Sequence, residues 1–298
     1  VTPRDRSRAQ LLAAATLFST AGAAIKYCRL DAWELACFRA GLAAVALFLL
    51  LPAARRGWSW RTALVAVNYA AMVILFVRAN KLTTAASTIF LQATSSLYIV
   101  ALGPLLLRER ARRRDLLTLL TVGGGLVLLV AGAPPPARSA PDPATGNLLA
   151  ALSGLSSALM LIGLRWLGRH PAPVAFDGGV ADADQGGAAP AVVMGNVLAF
   201  VVCLPFAIPV AEVRAIDWAL VAFLGVFQIA LAYALLIAAL RHMAAIEASL
   251  LLFIEPVLNP LWAWLVQGEQ PGAWAWAGGL LILSGTLLRA VWDARTEA

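Results

Sequence analysis

The sequence predicts an all-α membrane protein with ten transmembrane helices in two inverted five-helix repeats. Three observations predict it. Ten stretches are almost free of charge and long enough to cross a bilayer, whose core takes about 20 apolar residues as helix. Only 13% of the 298 residues are Asp, Glu, Lys or Arg and mean hydropathy is +0.81, whereas soluble domains carry about 25% charged residues. A proline-rich loop from Ala133 to Pro143 divides the stretches five and five. Five is odd, so the second half of a duplicated chain must enter the membrane from the opposite side, a recurrent transporter plan.

In chain order the spans are expected near 9–26, 33–52, 61–79, 83–107, 115–132, 146–166, 190–210, 217–239, 245–266 and 272–290. Arg4, Arg6 and Arg8 precede the first span, which reads as a retained anchor with its N-terminus in the cytoplasm. Alternation then places sixteen basic residues inside, among them Arg55, Arg56 and Arg61 and the cluster Arg108, Arg110, Arg112, Arg113 and Arg114. Lys26, Arg29, Arg78, Lys81, Arg138 and Arg214 fall outside, and Arg39, within the second span, completes the 23. This bias predicts a multi-pass inner-membrane protein with both termini cytoplasmic. Trp33, Trp58, Trp60, Trp166, Trp218, Trp274, Trp276 and Trp292 fall near span ends, where an amphipathic ring is favoured.

The expected units are a first repeat over 1–132, a linker loop over 133–145 and a second repeat over 146–298. Residues 69–128 fall gap-free on 229–288 at a shift of 160, which sets Lys81 on Arg241, Glu109 on Glu269 and Gly125 on Gly285. The first span falls on the sixth at a shift of 137, and the difference lies in the loop around Pro171–Pro190. That loop, with Asp177, Asp182 and Asp184, reads as solvated and cytoplasmic.

Composition also excludes function classes. The net charge of +7 could suit nucleic acid, but the basic residues lie in short runs between spans, so no nucleic-acid partner is expected. Cys28, Cys37 and Cys203 show no metal spacing. They read as small buried residues, with a Cys28–Cys37 bridge as the alternative. No metal or cofactor is expected. His-Glu-x-x-His, Gly-x-Ser-x-Gly and Gly-x-x-x-x-Gly-Lys patterns are all missing from the sequence, so neither an intramembrane enzyme nor a carrier driven directly by ATP is indicated.

The polar residues inside the spans carry the chemistry. Residues 82–107 are uncharged and as straight helix would reach about 39 Å, beyond a core of roughly 30 Å. This helix is therefore predicted to tilt, kink or break. Its hydroxyls and amide, including Thr83, Thr84, Gln92, Thr94, Ser95, Ser96 and Tyr98, form either a cavity wall or helix–helix contacts. Gln92 has the strongest claim, because an amide facing lipid is costly. The ninth span holds Glu255-Pro256 near mid-membrane and Asn259-Pro260 one turn on. The two prolines are expected to kink it. Glu255 is a candidate to carry a coupling proton, to pair with a substrate ammonium, or to support the kink. Arg39 lies about 9 Å into its span; it is either a second charge in the same site or a side chain that snorkels to the interface. Lys26 is expected to snorkel.

Ser19, Asn68, Tyr69, Ser156, Gln228, Tyr233, Asn259 and Trp262 are further candidates for the cavity, with Ser153, Ser157 and Asn196 beside them. Ser19 corresponds to Ser156 and Asn68 to Gln228 under the two shifts, which suits a site at the repeat interface. Tyr69, Tyr98, Tyr233 and Trp262 offer aromatic faces for an apolar or aromatic side chain, or for a cation.

Small residues, Glu255-Pro256, Asn259-Pro260, Gly268-Glu269 and a glycine-rich final helix through Gly278, Gly279 and Gly285 follow one another in the last two spans. This pattern resembles the EamA repeat of the drug/metabolite transporter superfamily. The first half resembles it through Glu109 and Gly123-Gly124-Gly125, with Ser96 where the repeat usually has proline. The resemblance implies ten helices in two inverted repeats and export of small metabolites. Amino-acid exporters, including aromatic amino-acid exporters of the YddG type, share this plan, as do several uptake systems. The function expected is secondary transport: export of hydrophobic or aromatic amino acids by alternating access through a central cavity. A carrier for cationic or quaternary-amine solutes and drugs is the alternative, and an intramembrane enzyme a third. The partners expected are a small-molecule substrate and the lipid bilayer; the glycine-rich fifth and tenth spans fit packing within or between subunits.

Overall fold

Hydroxyl side chains set the breaks in two of the helices. The computed structural model describes residues 3–106, 113–132, 137–169, 188–210, 213–240, 251–252 and 254–297. The first span, α1, runs Pro3–Ser19 and resumes as Ala21–Tyr27. At the break the Thr20 hydroxyl donates to the Leu17 carbonyl at 2.7 Å and that of Ser19 to Thr16 at 2.7 Å. The fourth span, α4, breaks the same way, into Ala85–Ala93 and Ser95–Leu106. There the Thr94 hydroxyl takes the Leu91 carbonyl at 2.6 Å while its N–H tightens onto the same oxygen at 3.2 Å. Such bonds compete with the helix ladder. The overlong fourth span thus breaks.

The other helices are α2 (Ala32–Leu50), α3 (Trp60–Leu82), α5 (Arg113–Ala131), α6 (Pro143–Arg169), α7 (Ala188–Cys203), α9 (Ile254–Gln267) and α10 (Ala273–Glu297). Between α7 and α9, α8 runs Ala215–Ala222, widens into a π-helix over Phe223–Leu231, and returns to α over Ala232–Leu240. A capping box of Asp31 and Glu34 starts α2, and the Ser59 hydroxyl accepts from Thr62 N–H at the start of α3. Asp142 precedes α6; the Thr145 hydroxyl and N–H beside it hold the Asp142 carboxyl below the usual carboxylate range.

These ten helices are the ten expected spans. Among the described residues, five stretches are uninterrupted, long and apolar enough to cross a membrane: Ala32–Leu50, Trp60–Leu82, Pro143–Leu164, Ala188–Phe206 and Ala215–Ala239. Several helices outlast the apolar stretch. α1 begins at Pro3 rather than near residue 9, and α10 runs to Glu297, because Ala and Arg favour helix as well as the core residues do. The expected start of the ninth span (245–250), most of the Arg108–Arg114 cluster and the loop at 170–187 lie outside the described residues.

Packing reveals the duplication more clearly than the sequence does. α3 lies on α6, and α8 on α1. α3 also meets α7, and α8 meets α2. α4 lies on α6, and α9 on α1; α2 pairs with α7 and α5 with α10. Exchanging each helix for the one five places along maps these pairs onto one another, as two repeats related by a pseudo-two-fold axis require. Glycine allows the closest of these approaches. A Cβ at Gly125 would lie 2.6 Å from the Gly278 carbonyl oxygen, and one at Gly278 2.8 Å from that of Gly125. Large apolar side chains such as Val45, Leu64, Val127 and Leu280 point outward, where lipid replaces water as solvent.

Segment ends that alternation assigns to one side do meet there. On what we term the distal face, opposite the start of α1, Lys26 Nζ lies 3.1 Å from Glu269 Oε2 and donates to the carbonyls of Thr83 and Ser139 at 2.6 Å. Glu269 Oε1 accepts the Ala85 N–H at 2.6 Å, at the start of α4. Asp217 accepts from Arg29 N–H at 2.9 Å and pairs with Arg214 at 2.7 Å. Lys26 was expected to snorkel; instead its side chain is 4% exposed, because two free carbonyls and a carboxylate from distant segments converge on it. At the other face Trp60 and Trp166 pack edge to face, with the Arg61 guanidinium 5.3 Å from the Trp166 ring centre.

Candidate functional site

A cavity of about 390 Å³ lies where the two repeats meet, walled by α1, α2, α3, α4, α6, α8 and the start of α9. One wall is aromatic. The Tyr233 ring stands edge-on to Phe18 at 5.2 Å and to Tyr69 at 6.0 Å. Tyr69 is seated by Gly195, where a Cβ would fall 2.5 Å from its ring, and Asn196 Nδ2 donates to its hydroxyl at 3.1 Å. The rest is largely aliphatic, with Met72, Ile89, Met160 and Leu252 among the lining side chains.

Polar groups enter from both repeats. Gln92, just before the break in α4, donates to Ser153 Oγ at 3.2 Å, and Ser153 donates to the Met72 carbonyl at 3.0 Å. The α4 break therefore anchors α4, α6 and α3 to one another beside the cavity. Gln228 enters from the π-helical stretch of α8, a distortion that recurs at functional sites. Arg39 and Glu255 are the basic and acidic side chains among the described residues that line the cavity. Arg39 is 3% exposed, and its Nε and Nη1 have no hydrogen-bond partner among the described residues. Neither does it form an ion pair with Glu255.

Of the residues singled out in the sequence, Arg39, Tyr69, Gln92, Ser95, Gln228, Tyr233, Glu255 and Pro256 line this cavity. Ser19, Asn259 and Trp262 lie beside it in the seam between α1 and α9. Trp262 Nε1 donates to Ser19 Oγ at 2.9 Å. Asn259 is 1% exposed and packs on Gly22, where a Cβ would fall 2.5 Å from its Oδ1. Pro260 is buried in the same helix. Asn68 turns away and bonds to the Leu64 carbonyl at 3.0 Å, leaving the adjacent Tyr69 in the wall. Ser156 likewise yields to Ser157, since one residue rotates a helix by about 100°. Tyr98 is half-buried on α4 beyond the lining. Phe18, Met72, Phe76 and Leu236 line the cavity unforeseen, because an apolar residue in an apolar span carries no mark of what it faces. All three cysteines are free and buried.

Between the cavity and the distal face, α1 and α9 are joined by four contacts in succession. They are Ser19 with Trp262, Gly22 with Asn259, the Ala23 carbonyl with Gln267 Nε2 at 3.0 Å, and Lys26 with Glu269.

Known proteins bear on what such a chamber serves. Residues 9–131 and 187–290 match the EamA-like transporter family. The chain belongs to that family. This EamA-like transporter is also 38% identical, over 66 residues, to the permease-like protein YdzE of Bacillus subtilis (strain 168), a match covering 22% of the chain and 85% of that protein. A solved crystal structure of a protein superposes over 99% of the transporter and 100% of its own chain, with a TM-score of 0.62 and 19% identity; at that identity the likeness speaks for the fold. The protein is a multi-pass membrane transporter rather than an enzyme, and small molecules are its substrates.

Proposed function

We propose that this EamA-like transporter is a secondary carrier that exports hydrophobic or aromatic amino acids by alternating access through the central cavity. One observation carries the reading: a single chamber at the repeat interface joins an aromatic wall, Phe18, Tyr233 and Tyr69, to polar groups from both repeats, Gln92 and Gln228. Its volume of about 390 Å³ lies within the roughly 300–1,000 Å³ usual for small-molecule sites. A pseudo-two-fold arrangement supplies the mechanics, because rocking one repeat against the other opens opposite ends of the same hollow. The α1–α9 seam is the contact that must part for release at the distal face. The distribution of arginines supports an inner-membrane location with cytoplasmic termini and a distal face turned outward.

The test is counterflow in proteoliposomes. Vesicles loaded with L-phenylalanine or L-leucine should accumulate the labelled solute transiently, and Gln92→Ala and Tyr233→Ala should abolish this with membrane insertion intact. Full activity in both variants would move the path elsewhere. A second reading, a carrier for cationic or quaternary amines, is favoured by Glu255 beside aromatic faces; counterflow of tetraethylammonium without amino-acid counterflow would select it.

A further inference from the structure

We propose that Arg39 is the docking group for a carboxylate on the transported solute, so that the substrate class is carboxylate-bearing zwitterions and not simple amines. The proposal rests on the carrier reading and adds to it the charge the cavity demands.

The observation is a buried guanidinium in the wall of a built chamber, with no ion pair to it among the described residues. Arg39 sits in mid-helix, two turns beyond the Asp31 cap, and is 3% exposed. Its Nε and Nη1 are buried and have no partner among the described residues, yet the side chain lines the cavity. Among the described residues, the ionisable side chains that act on it are Tyr69, Tyr233 and Cys203, none of them an anion at neutral pH. A buried guanidinium without an opposite charge is costly in a protein interior and more so in a bilayer. Structural arginines in such places are paired. Here Nε and Nη1 stay without a partner among the described residues; they lie on different edges of the guanidinium, so a carboxylate would take one of them, with Nη2 beside it completing a two-bond fork.

The backbone around Arg39 holds this arrangement in place. α8 presses on α2 at this level: a Cβ at Gly225 would fall 2.8 Å from the Arg39 carbonyl oxygen. Three residues on, the π-helical stretch brings Gln228 to the same chamber, with its Oε1 buried and unpaired. An unpaired amide oxygen and the Glu255 carboxyl are acceptors, suited to an ammonium; the vacant Arg39 donors are suited to a carboxylate. Phe18 and Tyr233 supply the face for an apolar side chain. A solute carrying only a positive charge would bring like charge to Arg39 and leave its donors empty.

The experiment measures binding to purified, detergent-solubilised full-length protein by thermal shift and calorimetry. The probes are a panel of the common L-amino acids together with the C-terminal amide of each, which keeps the ammonium and removes the carboxylate. For the acids that bind, the amide should be weaker on the order of 30-fold or more. Arg39→Gln should erase the difference between acid and amide. Arg39→Lys keeps the charge but not the fork, so it should retain part of the preference, and it serves where the glutamine variant does not assemble. Equal binding of acid and amide to the unaltered protein overturns the proposal, as does binding of no acid, or an acid preference that survives in both variants. Counterflow separates this from the carrier reading. Arg39-dependent acid binding without counterflow sinks the carrier and leaves the site. Counterflow of acids and amides alike keeps the carrier and removes the role of Arg39.

Discussion

At Glu255 the chain sets a carboxyl directly before a proline, and the placement matters atom by atom. Pro256 has no N–H to give the Leu252 carbonyl four residues back, and both Leu252 and Glu255 lie on the cavity. A carboxyl beside a freed carbonyl can hold and release a proton at the cavity wall. Transport by Glu255→Gln is therefore expected to continue with a rate that no longer changes with pH, measured as labelled-solute efflux from vesicles over roughly pH 5.5–8. A pH profile like that of the unaltered protein would take Glu255 out of the coupling. At this scale the sequence was legible only where a polar residue stood out against lipid-soluble neighbours. Gln92, Gln228 and Arg39 were visible for that reason. Asn68 against Tyr69 and Ser156 against Ser157 were not separable, because the spans are apolar on every face and so carry no amphipathic phase.

Among the elements, the α1–α9 seam is the contact whose strength should set which face is open under the proposed alternating-access reading. Lys26 and Glu269 are 4% and 3% exposed and bind groups from four segments. Removing one charge strands the other. Glu269→Gln is expected to destabilise the protein by about 3–5 kcal/mol, seen as a lowered thermal midpoint in detergent. Lys26→Met combined with Glu269→Leu should recover much of that loss, since a buried pair replaced by apolar residues is often close to neutral. Both changes should loosen the seam, so a cysteine introduced at Trp262 should react faster with an impermeant thiol reagent from the distal side. Unchanged labelling would separate the ion pair from gating. The sequence showed that the fourth span was too long for the bilayer. It did not show that Thr94, rather than any other hydroxyl in the span, would break it. That depended on the Leu91 carbonyl being open to the Thr94 hydroxyl, with α6 approaching closely at Gly154, where a Cβ would fall 2.9 Å from the same oxygen.

For the whole molecule, the exchange of the principal helix pairs relates two bundles of five helices, and an odd number of crossings in each gives them opposite orientations in the membrane. Ten crossings return the chain to the side on which it began. Reporter fusions at the two ends should therefore be active on the same side, and the arginine bias predicts the cytoplasm for that side. Opposite signals from the two ends would break the ten-span account.

By itself the sequence determined that this chain crosses lipid as two five-helix units. Transfer of apolar residues into lipid is a sum over local stretches, so it can be read along the chain. Only the tertiary structure decided that Tyr69, Tyr233 and Gln228 share a chamber with Arg39, and that Lys26 is buried rather than stretched toward water. Those outcomes depend on which carbonyls, carboxylates and rings from distant helices arrive at the same point. Neither the count of spans nor their composition contains that information.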